Sequence, residues 1–157
     1  MSTIDEIREG YVINLEEIPD LDPYRLIIHN YVNFRDHIAK FKLEQKIENI
    51  TKTINDGDIK DKKLIEEYKD KLKDIKMKID DIIKTTEEEY KTSWEVIFDL
   101  GMDFDNCNKI PEAEDIYKKI SNSILNECAE KFIKSEKKLI LFNDSLIELS
   151  NKLNINF

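Results

Sequence analysis

From Lys60 to Ile83 the apolar residues fall at Ile65, Tyr68, Leu72, Ile75, Ile79 and Ile82, in steps of three and four, with Lys, Glu and Asp in nearly every position between. That spacing puts all six side chains on one stripe of an α-helix and predicts a coiled-coil-like seam that a neighbouring helix must cover. After the poorly helical Thr85 and Thr86 the pattern resumes at Tyr90, Trp94, Ile97 and Phe98. A helix is therefore predicted over 59–100, with a kink or phase slip near Thr85 and Gly101 as its C-terminal cap.

Upstream, Asp22 followed by Pro23 is a helix start, because the carboxylate can cap and the missing proline N–H does no harm in the first turn. The stripe Ile27, Tyr31, Phe34, Ile38, Phe41 then resumes as Leu43, Ile47, Ile50, Ile54, offset by two residues. Two residues turn a helix by about 200°, so a helix over 59–100 is preceded by one over 23–54 that either breaks near Lys42 or buries both faces at different heights. Asn55-Asp56-Gly57-Asp58 is a turn that closes a helical hairpin. A third helix, 111–155, opens at Pro111 with Glu112, Glu114 and Asp115 in its first turn, and the apolar-free run from Lys134 to Lys138 predicts a solvated bend or joint near Ser135. Residues 1–21 mix acids with Ile4, Ile7, Tyr11, Ile13, Leu15 and Ile18 and read as an N-terminal arm, a short helix or an extended strap on the core.

Only three Gly and three Pro occur in 157 residues, too few for the turns of a sandwich or a doubly wound sheet. The expected fold is all-α: a single domain forming an elongated antiparallel three-helix bundle with a coiled-coil-like helical hairpin, its middle helix spanning roughly 60 Å at 1.5 Å per residue. The net charge of −9 is spread as interspersed acids and lysines, a solvated helix surface in which pairs such as Glu67 and Lys71 add a little stability. An acidic total excludes the basic footprint of nucleic-acid binding. No apolar run approaches the about 18–20 residues of a membrane span, and Met1 to Gly10 lacks the features of a secretory leader, so a cytoplasmic protein is expected. Cys107 and Cys128 form no metal-binding or disulfide pattern.

Candidate chemistry is sparse. The segment 103–114 half-matches a calcium loop, with Asp103, Asp105 and Glu114 at the first, third and twelfth positions, but a soft thiol, Cys107, stands at the fifth and no Gly at the sixth. His29 and His37 lack the Glu-x-x-His partners of a bundle metal site and read as surface or boundary residues. No Gly-rich loop or nucleophile elbow accompanies the serines and cysteines. The expectation is a non-enzymatic protein-interaction or structural module, without metal or cofactor, that engages a protein partner or itself. Its candidate interaction residues are Ile65, Tyr68, Leu72, Ile75, Ile79 and Ile82, whose seam, where it outruns its neighbours, would make a homodimer, and Trp94, an interface anchor if it is not core. A helical-bundle enzyme or metal-binding protein is the competing class.

The run Leu26-Ile27-Ile28-His29-Asn30-Tyr31-Val32-Asn33-Phe34-Arg35-Asp36-His37-Ile38 resembles the first helix of the poxviral Bcl-2-like inhibitors of host innate signalling, with its Leu/Ile, Tyr and aromatic-Arg positions. Tyr117-Lys118-Lys119-Ile120-Ser121 and Leu139-Ile140-Leu141-Phe142 are similar to later segments of that family. The resemblance covers under a fifth of the chain. It implies a short central helix wrapped by six or seven others and an inhibitor of host immune or apoptotic signalling. The chain departs from that pattern in its long heptad and in the acid-rich Phe98-Asp99-Leu100-Gly101-Met102-Asp103, which stands where the family has an apolar central helix.

Overall fold

The computed structural model describes residues 7–8, 10–13, 22–57, 59–107 and 109–155. These form four α-helices: α1 (Pro23–Phe41), α2 (Leu43–Asn55), α3 (Lys62–Cys107) and α4 (Ala113–Lys152), with no strand among the described residues. They build three rods, because α1 and α2 follow one another along the same side of the α3–α4 hairpin. The fold is the expected all-α antiparallel bundle, and its 46-residue α3 extends roughly 69 Å.

Ring contacts and hydrogen bonds fix the register. On the α3–α4 hairpin, Phe104 stacks on Tyr117 and Thr86 meets Ser135, so rising numbers on one helix face falling numbers on the other. On the first rod, Tyr24 packs on Trp94 and Phe98, Tyr31 stacks on Tyr90, and Arg35 pairs with Glu87. The first rod is therefore antiparallel to α3 and parallel to α4, where Phe34 stacks on Phe132 and Lys46 donates to Asn143 at 2.6 Å.

The local signals act as their chemistry requires. Asp22 caps α1 by accepting from Tyr24 N–H at 3.0 Å, with Pro23 in the first turn, and Gly57 takes φ +78 in the turn between α2 and α3. The two-residue offset of the first rod is resolved by a break at Lys42, which adopts φ 50 and ψ 46 and bonds its N–H to Ala39 O. One left-handed residue re-phases the helix, so Leu26, Ile27 and Phe34 before it and Leu43, Ile50 and Ile54 after it all reach the core.

Two helix ends and two predicted breaks differ from expectation. The middle helix starts at Lys62, where Asp61 accepts from Lys63 N–H, and it runs through Gly101 to Cys107. Gly101 keeps a negative φ and caps nothing, because the Phe104–Tyr117 stack holds a further turn and a half of helix against α4. No break occurs at Thr85: the Thr86 hydroxyl donates back to Ile82 O at 2.7 Å, which satisfies it without leaving the helix. Nor does α4 break near Ser135. The run 134–138 is helical, and Glu136 within it is buried, not solvated.

Where it is described, the arm is a helical turn at Ile7 and Arg8, closed by Gly10 N–H to Ile7 O and Tyr11 N–H to Arg8 O, followed by irregular backbone through Ile13; Ile7, Tyr11 and Val12 are buried against the bundle, while Ile4, Leu15 and Ile18 lie outside the described residues. With two helices of 46 and 40 residues and no short central one among the described residues, the architecture is not the arrangement implied by the poxviral resemblance.

Candidate interaction surface

The predicted seam is occupied within the chain. Leu72, Ile75 and Ile79 are buried, and Ile65, Tyr68 and Ile82 are partly buried against the same core. The covering residues come from α2 and α4, in line with the steps of three and four that aim the seam at the gap between them. The exposed stripe that would call for a second copy is therefore not present on this face. Trp94 is half-buried in a triangle of rings with Tyr24 and Phe98, at ring-centre distances of 5.3 and 5.8 Å.

The middle of the bundle holds a set of polar contacts. Asn30 is buried on α1 and acts as a peptide mimic: its Oδ1 accepts from Val12 N–H and its Nδ2 donates to Val12 O, both at 2.8 Å, which pins the arm to the helix. One turn on, Asn33 donates to Gly10 O at 2.9 Å. A Cβ at Gly10 would stand 2.5 Å from the His37 ring, so the arm crosses this point only as glycine. His37 in turn places Nδ1 2.6 Å from the buried Glu136 carboxylate of α4. Burial pushes the Glu136 carboxyl above its usual range, and the opposing charges of His37 and Lys40 offset this only in part. Tyr11 lies edge-on to His37, and its hydroxyl is held strongly toward the protonated form, chiefly by burial and then by the Glu136 charge. Beside this cluster, Tyr31 and Arg35 both donate to Glu87 at 3.1 Å. His37 is thus a boundary residue, as its setting suggested, while the buried partner that gives it a role, Glu136, sits in a run that sequence alone assigns to solvent.

Burial pushes the Cys128 thiol up to about 11, leaving it protonated and unreactive near neutrality, and Cys107 is exposed on the last turn of α3. The calcium half-match is not a loop: Asp103 and Asp105 lie exposed on α3 and Glu114 on α4. Among the described residues no group of three or more His, Cys, Asp or Glu is placed to hold a metal ion. Glu67 and Lys71 are exposed and unpaired, and the intrahelical pairs that form are Asp74–Lys78, Glu114–Lys118 and Glu148–Lys152.

What the bundle leaves open is concentrated at its ends. The first rod begins at the level of Phe98, so among the described residues α3 and α4 continue past it as a hairpin of two helices. Five of the ten large apolar side chains exposed among the described residues, Phe98, Met102, Ile110, Ile116 and Ile120, fall in this short stretch, which marks it as an apolar end. Their exposures run from 42% to 54%. Phe98 and Met102 stand one turn apart on α3, and Ile116 and Ile120 one turn apart on α4. Scattered exposed apolar residues carry little meaning, but clustering at one end is the usual mark of a contact surface. Sequence periodicity missed it because these residues continue the same helical pattern as the core, and only the place where the first rod starts tells the two apart.

No protein-family model matches the chain, and neither a curated protein nor a solved structure does. No helix among the described residues is long and apolar enough to cross a membrane.

Proposed function

We propose that the chain is a non-enzymatic interaction module whose open hairpin end, Phe98 to Ile120, engages a protein partner. The observation that carries this reading is that five of the exposed large apolar side chains among the described residues fall between Phe98 and Ile120, at and past the start of the first rod. Its support lies also in how the polar residues are used: Asn30, His37, Glu136, Thr86 and Ser135 bond to one another or to the backbone, which suits a scaffold held in one register more than a site open to substrate. A partner covering the hairpin end would bury apolar area with little reorganisation, since both helices are already held together by the Phe104–Tyr117 stack.

Affinity capture from the native source, with the wild-type chain and a Met102→Asp/Ile116→Asp variant side by side, tests this. A protein retained by the first and lost by the second is the expected result. If the folded variant retains the same set of proteins, the hairpin end is not the docking surface.

A further inference from the structure

At the opposite end of the molecule, α2 and α3 leave a groove of about 280 Å³ between them. Ile47 and Ile54 from α2 and Leu72 from α3 supply its apolar walls, and Lys69, Lys73 and Lys76 rise along one side. These lysines are spaced by four and three residues, so they stand on successive turns of α3 over roughly 10 Å. Among the described residues no acidic one lines the groove. Nor is any of the three lysines in an ion pair among the described residues, whereas Lys78, on the same helix, is held by Asp74 at 2.9 Å. A chain of net charge −9 thus carries, beside an apolar cleft, a row of three lysines that form no ion pair with any described residue.

The row constrains what fits. A small carboxylate or phosphate engages one lysine or an adjacent pair, and it leaves the rest of a 10 Å row, as well as most of the apolar length, uncompensated. An amphipathic helix presents apolar side chains at three- and four-residue spacing and carboxylates one turn apart along the neighbouring stripe, which is the complement of this groove in both pattern and pitch. We infer that the α2–α3 groove docks an acidic amphipathic helix of a partner protein, its apolar side chains over Ile47, Ile54 and Leu72 and its carboxylates on Lys69, Lys73 and Lys76. This rests on the reading of the chain as a protein-interaction module, but it concerns the other end of the bundle and is tested separately.

The test uses the full chain and a fluorescein-labelled synthetic helical peptide with Leu at three- and four-residue spacing and Glu flanking each Leu, followed by fluorescence anisotropy. Saturable binding is expected, weakening at least tenfold between low and high salt. It should also weaken at least tenfold in a Lys69→Glu/Lys73→Glu/Lys76→Glu variant whose circular dichroism is unchanged. Thr51→Trp, at an exposed position of α2 on the groove rim, should block the peptide without altering charge. Absence of binding to the wild-type chain, equal binding of a peptide with Lys in place of every Glu, or unchanged binding by both groove variants overturns the assignment. So does a site filled by dodecanoate alone, which would make the ligand a lipid-like anion. If the peptide fails while Met102→Asp/Ile116→Asp still loses its captured partner, only the groove assignment falls; if the peptide binds through the groove and that variant loses nothing, only the hairpin-end reading falls.

Discussion

The two halves of α3 follow one sequence rule and reach opposite ends. In the first half, the seam from Ile65 to Ile82 is strictly periodic, reads as a surface waiting for a partner, and is closed off by α2 and α4. In the second half, Phe98 and Met102 continue an ordinary amphipathic pattern and are left 46% and 53% exposed. Periodicity states which face of a helix is apolar, but not how many helices are present to cover it. The number of rods at each height decides: among the described residues, three from Leu72 to Ile97 and two past Phe98.

The largest expected effect separates these halves directly. Ile75→Asp places a charge at a site only 5% exposed, and a buried unpaired carboxylate should cost at least about 4 kcal/mol, a large share of the stability of a domain of this size. Met102→Asp, in the two-rod region, should change stability by no more than about 0.5 kcal/mol. Urea denaturation followed by circular dichroism measures both. A folded, monomeric Ile75→Asp chain of near wild-type stability would mean that the seam is not the core of one protomer, and the contrast between the two halves would collapse.

A second, smaller effect probes how the three-rod region is tied together. Asn30→Ala removes the side chain that satisfies both the N–H and the C=O of Val12, and leaving such buried groups unpaired costs about 1–3 kcal/mol. The loss should appear in the urea midpoint, accompanied by faster proteolysis near Tyr11. A loss below about 0.5 kcal/mol would show that water takes over both bonds and that the arm is not fastened here.

Much of the architecture is legible in the residues. Asp22 with Pro23, the Asn55–Asp58 turn and the two-residue phase offset at Lys42 each name a backbone event through local chemistry alone. The polar centre is not legible in the same way. Lys134-Ser135-Glu136-Lys137-Lys138 has no apolar residue, and any hydropathy rule places it in water. Its burial at Ser135 and Glu136 depends on Thr86 and His37, which lie far away in sequence and approach only once the rods are in register. Gly101 shows the converse: a residue suited to end a helix stays inside one because a tertiary contact, Phe104 on Tyr117, outweighs local preference. The two proposed docking surfaces were hidden for the same reason. The exposure of Ile116 and Ile120, and the meeting of Lys69, Lys73 and Lys76 with Ile47 and Ile54, are properties of rod ends and rod spacing.

The smallest predicted effect concerns pH, and it distinguishes the carboxylate inside the three-rod region from those on the hairpin. Asp103 and Asp105 are exposed on the last turns of α3, whereas Glu136 is buried, and that burial lifts its carboxyl above the usual value of 4.5. A raised pKa in the folded state means that the folded chain holds this proton more tightly than the unfolded chain does. The resulting stability is fully present below the ordinary carboxylate range and is lost as pH rises through the raised value. Wild type should therefore gain stability relative to Glu136→Gln as pH falls from 7 toward 4.5, because the glutamine carries no proton to bind. Urea midpoints at several pH values, taken as differences from wild type, give the comparison. If the Glu136→Gln curve runs parallel to wild type, the buried carboxyl takes up no extra proton on folding over this interval, and its burial does not govern the pH response.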